Sequence, residues 1–96
     1  MGHVSGSWPR PFAVGVLASD GGRRRRERLD LALDAYKLGY FLLDTVEVHD
    51  RAGYAVAEAL AARTDADAFV VRGDVDLPRL ERAAADLRMR VCRSAP

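Results

Sequence analysis

"FAVGVLASDGGRRRRERLDLALDAYKLGY", residues 12–40, is the stretch whose reading decides the fold. Its first seven residues, FAVGVLA, are apolar on both faces and are bounded by Pro11 before and Asp20, Gly21 and Gly22 after. A short run of that kind suits a central strand of a parallel sheet, which is covered on both sides. The spacing then changes to a helical period over residues 24–38. Leu29, Ala32, Leu33 and Tyr36 fall at i, i+3, i+4 and i+7 and are expected to face the sheet. Asp30, Asp34 and Lys37 are expected to face outward, and Gly39 stands where a helix C-cap glycine belongs.

The same alternation repeats toward the C-terminus. Residues 40–48, YFLLDTVEV, are rich in β-branched and aromatic side chains and read as a second strand. A turn at residues 50–52 leads to a short helix over 53–63, with Val56, Ala59 and Leu60 inward. Residues 68–72, AFVVR, read as the third strand, and residues 73–76 as the loop after it. Asp76 can cap the next helix and Pro78 fits its first turn. Leu80, Ala83, Ala84 and Leu87 form that helix's inner face, and residues 89–92 a short last strand. The order β-α-β-α-β-α-β requires crossover connections and hence a parallel sheet. The expected product is a small three-layer α/β domain over residues 12–92. Strand order 2-1-3-4 follows from placing the two most uniformly apolar strands in the middle. Residues 1–11 read as a flexible N-terminal tail and 93–96 as a C-terminal one.

Composition narrows the function classes. The net charge is only +1, but its distribution is uneven. Six arginines stand within residues 1–28 against Asp20 and Glu27, whereas the rest carries nine basic and twelve acidic residues. The domain as a whole is no basic nucleic-acid binder, and only its first corner qualifies. Fourteen of the fifteen basic residues are arginine, a usage typical of GC-rich genomes. Cys92 is the single cysteine, so no intrachain disulfide forms. It reads as a small buried hydrophobe in the last strand. No apolar run approaches the roughly 20 residues of a membrane span. The polar start lacks the pattern of a signal peptide, so the expected location is cytoplasmic.

In an open parallel sheet, ligands bind beyond the C-terminal ends of the strands at the switch point. With order 2-1-3-4 that point lies between strands 1 and 3, where loops 19–22 and 73–76 meet. Gly21 and Gly22 leave backbone amides uncovered, and a helix N-terminus follows. Four consecutive arginines add guanidiniums that grip phosphate, although at most two of them can face one ligand. The candidate anion or nucleic-acid site is therefore Ser19, Gly21, Gly22, Arg23, Arg24, Arg26 and Arg72. Neither G-x-x-x-x-G-K-[ST] nor G-x-G-x-x-G occurs, so no nucleotide cofactor is expected. Asp20, Asp74 and Asp76 are the one set of carboxylates placed to hold Mg²⁺, but a cap explains Asp76, and no metal is expected. His49 follows strand 2, far in sequence from either loop, and reads as a solvated turn residue.

Strand 1 with its serine-bearing loop, then "RLDLALDAYKLGY", "LLDTVEV" and "FVVRGDVDLPRLERAAADLRMRV", resembles the N-terminal catalytic domain of serine recombinases, the resolvase/invertase group, over roughly residues 12–92. The resemblance implies a resolvase-like sheet, a layout close to the flavodoxin-like one, and phosphoryl-transfer chemistry on DNA. It sets Ser19, in "LASD", near the nucleophile's place. The family's Arg-Val-Ser-Thr signature has an arginine where this chain has Leu17 and a threonine where it has Asp20. The family's Leu-Asp-Arg-Leu-x-Arg signature is "RGDVDLPRL" here, with Arg72, Asp76 and Arg79 as loose counterparts. Phosphoryl transfer depends on arginines fixed around the phosphate. Their loss implies a degenerate, non-catalytic relative. The expected role is protein–protein interaction, by self-association as a homodimer or as an accessory factor for another protein. Nucleic-acid or phosphate binding through the Gly-Gly-Arg loop is the alternative. Strand 2 is the expected unpaired edge.

Overall fold

The structure is a computed structural model that describes residues 11–18 and 22–94. Four strands and three helices alternate along it: β1 (Phe12–Ala18), α1 (Arg24–Lys37), β2 (Phe41–Glu47), α2 (Arg51–Thr64), β3 (Ala68–Gly73), α3 (Leu77–Leu87) and β4 (Arg90–Arg93). All strand pairs are parallel and the order is β2-β1-β3-β4, as the sequence pattern implies. The calls on the tail residues 1–10 lie outside the described residues.

The two central strands sort their side chains alternately between the two helical layers. Val14, Val16, Phe69 and Val71 pack with Ala57 and Ala61 of α2 and with Leu80 and Ala84 of α3. Ala13, Leu17, Ala68 and Val70 pack with Leu31 and Ala35 of α1. This period of two is why both strands read as continuous apolar runs. Asp50 and Asp76 cap α2 and α3, their side chains accepting from the Gly53 and Arg79 amides at 3.2 Å each. The Asp50 cap starts α2 two residues before Gly53, where the sequence spacing places it. The Tyr54 hydroxyl accepts from the Asp76 amide at 2.7 Å, and Arg79 lies over the Tyr54 ring while bonding Glu58 at 2.9 Å. These contacts tie α2 to the start of α3.

Helix α1 departs from expectation. The face it lays on the sheet is Leu31 and Ala35, both fully buried. The stripe Leu29, Leu33 and Tyr36, expected inward, points away from the sheet and is 62%, 59% and 56% exposed. The cause lies in the sheet below. A side chain at Gly15 would meet Leu31 Cδ2 at 2.9 Å and Thr45 Oγ1 at 2.8 Å, so this glycine lets α1 settle with Leu31 directly over β1. The same rotation gives the polar flanks partners. Arg28 reaches Glu47 on β2, and Asp34 reaches Arg72 on β3. α2 is also turned from the expected face: Ala57 and Ala61 are buried and Leu60 packs partly buried against the same core, whereas Val56 and Ala59, expected inward, are exposed. In α3 the expected Leu80 and Ala84 are the buried pair, and Leu87 is over a third exposed.

β4 runs one residue past the expected boundary, and the chain stays in the fold through Ser94, which is buried and donates its amide to the Val71 carbonyl at 2.7 Å. Buried Tyr40, just before β2, sits beside Cys92 and Arg90. Burial pushes its phenol above the ordinary value of 10.0 and the charge of the Cys92 thiolate adds to that, while Arg90 works in the opposite direction. A folded-state value above the unfolded one means the neutral phenol favours folding. The contribution is complete below about pH 10 and is lost as pH rises through the folded value. Stability to urea should therefore fall as the pH rises above about 10, and Tyr40→Phe should flatten that decline. An equally steep decline in Tyr40→Phe would assign it to other groups.

Candidate functional site

At the C-terminal ends of β1 and β3 lies an open cleft of about 880 Å³ lined by Ala18, Arg23, Arg26, Glu27, Asp30 and Arg72. It occupies the switch point. Ser19, Asp20 and Gly21 lie outside the described residues. Gly22 and Arg23 form an exposed turn into α1, and Arg23 stands at its N-cap position with no side-chain cap bond. Gly73 closes the other side. Its φ is +88°, and a side chain there would run into the carbonyl oxygen of Ala18. Only glycine allows the end of β3 to approach the end of β1 this closely.

The arginine run divides as helical geometry requires. Arg23 and Arg26 line the cleft. Arg24 turns the other way, toward β2, where its guanidinium stands 3.5 Å from Glu47 Oε1. Arg28 binds the other oxygen of the same carboxylate at 3.1 Å. Arg25 lies against Leu29 on the side of the helix away from the cleft. Of the expected anion set, the structure thus gathers Arg23, Arg26 and Arg72 and separates Arg24.

Arg72 is engaged within the fold. It lies 3.5 Å from Asp30 Oδ2 and 3.5 Å from Asp34 Oδ2, and it donates to Ser94 Oγ at 3.1 Å. Ser94 in turn donates its hydroxyl to Asp34. Arg72 and Asp34 side chains are each only 18% exposed. Asp30, Asp34 and Ser94 were not among the candidate residues. The i, i+4 spacing of the two aspartates was the available signal, since such a pair shares one helix face. Their charge, with that of Glu27, offsets most of the cleft's arginines.

Asp74 is exposed, and Asp76 is occupied as the α3 cap. Among the described residues no three His, Cys, Asp or Glu side chains gather as a metal site would need. His49 is exposed, 4.0 Å from Glu47. Cys92 is partly buried next to Tyr40. No described helix is long and apolar enough to cross a membrane.

The chain matches no family model, no curated protein and no solved structure. The likeness to serine recombinases therefore rests on the layout of the sequence alone.

Proposed function

We propose that this chain is a protein-interaction domain without catalytic apparatus of its own, acting through the outer face of α1. The observation that carries this is the orientation of the Leu29, Leu33 and Tyr36 stripe. α1 is seated on its sheet through Leu31 and Ala35, and Leu29 and Leu33 on its other side are more than half exposed. Leu38 in the following turn is also exposed. A group of large apolar side chains of this kind on a small domain marks an interaction surface.

Phosphate or nucleic-acid binding at the cleft draws less support. Arg72 is held by two carboxylates, Arg24 is committed to Glu47, and Glu27 and Asp30 stand among the remaining guanidiniums.

The interaction reading makes a stability prediction. Leu33→Glu, measured at high dilution, should change the unfolding free energy by no more than about 0.5 kcal/mol, as an open surface position does. A buried leucine would cost about 2–5 kcal/mol on truncation alone. A loss of that size, independent of protein concentration, would mean that the stripe is covered by this chain itself.

A further inference from the structure

We infer that the partner of the α1 face is an acidic amphipathic helix of another protein, with its apolar stripe along Leu29 and Leu33 and its carboxylates against Arg25, Arg26 and Lys37. This deepens the reading of α1 as an interaction face and rests on it. The choice of occupant follows from charge and from the width of the face.

The apolar residues and the cations share one side of the helix. Arg25 and Arg26 stand four and three residues before Leu29, Leu33 stands four after it, and Lys37 stands four after Leu33. Residues at these spacings are neighbours on a helix surface. Leu29 and Leu33 are more than half exposed, and the three cations are exposed with them.

All three carboxylates of α1 stand elsewhere. Asp30 and Asp34 turn toward Arg72, and Glu27 lines the cleft beside them. On the opposite flank Glu47 is engaged by Arg24 and Arg28. Among the described residues, Arg25, Arg26 and Lys37 enter no ion pair. The ridge therefore carries cations and no anion. Its complement is apolar along the middle and acidic at the margins. Arg25 and Arg26 also oppose the dipole at the start of their own helix, a cost that a partner's carboxylates would offset.

The width of the band favours a helix over a broader anionic surface. Asp44, 65% exposed, borders the band on the β2 side, and Asp30, 39% exposed, borders it on the β3 side. The cationic band is thus the outer side of α1 alone, about 10 Å across. A bilayer or a nucleic-acid duplex is broader and would press its phosphates on the flanking carboxylates. A single helix lies within the band. On the β2 side an open groove of about 680 Å³, lined in part by Arg25, Leu29, Thr45 and Asp44, can take side chains that reach over Leu29. Apolar anchors one turn apart on the partner would match the Leu29 and Leu33 ridge.

Selection of displayed helical peptides against the full chain tests the inference, using a library with a fixed leucine stripe and random residues beside it. Binders should be enriched in Asp and Glu at the random positions. Arg25→Glu with Arg26→Glu should turn that enrichment to Lys and Arg. The same double variant should bind the acidic peptide selected by the wild type about 10-fold more weakly in solution. Leu29→Ser with Leu33→Ser should abolish binding of that peptide while keeping the wild-type urea midpoint. Neutral or basic enrichment by the wild type, no enrichment at all, or an unchanged preference in the arginine variant overturns the inference. So does tighter binding to phosphatidylserine vesicles or duplex DNA than to the selected peptide. The interaction face survives those results provided Leu33→Glu keeps its stability. A concentration-independent loss of stability in the leucine variants removes both.

Discussion

Gly73→Ala is expected to remove about 3 kcal/mol of stability, a large share of the roughly 5–15 kcal/mol that holds a domain folded. Two costs combine. The residue has φ of +88°, where an alanine is strained by about 1 kcal/mol or more. The added methyl would also run into the backbone carbonyl of Ala18, which cannot turn aside as a side chain can. Relief requires β1 and β3 to part at their C-terminal ends, where Ala18 pairs with Gly73 in the register. Urea titration followed by circular dichroism should show the loss as a lowered midpoint with little change in slope. An alanine variant within about 0.5 kcal/mol of wild type would mean that the strand ends are not closed in this way.

Arg72→Met should cost about 2 kcal/mol at neutral pH, because it leaves Asp34 and Ser94 behind without the guanidinium that they share. The figure is kept below that of a fully buried pair because both side chains retain some contact with solvent. Asp34→Asn in the same chain should recover part of the loss, since it removes the carboxylate left uncompensated. The outcome separates two roles for Arg72. A structural arginine gives this stability loss and a positive coupling with Asp34. An arginine kept for a bound anion gives near-wild-type stability and a loss of salt-sensitive binding instead.

Much of the fold was legible because it rests on patterns that burial enforces. FAVGVLA and AFVVR are apolar on both faces because each lies between two layers of helix. Asp76 and Pro78 announced the start of α3, and the cap bond to the Arg79 amide is in place. The start of α2 was less legible, because Asp50 was read as part of a turn when its side chain is the cap. The candidate cleft was legible in position, since strand order alone locates a switch point. Its electrostatics were not. That Arg72 is held by Asp30, Asp34 and Ser94 depends on α1 and the chain after β4 both meeting the end of β3, across sequence separations of up to 60 residues.

The sequence by itself determined the alternation of strands and helices, the parallel sheet and the order β2-β1-β3-β4, because hydrophobic period and run length respond to local burial on each element. It also contained the apolar stripe of α1. Which side of α1 would carry that stripe was decided only in the tertiary structure. Helical periodicity gives the relative phase of Leu29, Leu33 and Tyr36, but Leu31 and Ala35 form a second apolar ridge on the opposite side of the same helix. The sheet chose between them through contacts distant in sequence. Gly15 offers a gap that Leu31 fills, and Glu47 and Arg72 wait on either side for Arg28 and Asp34.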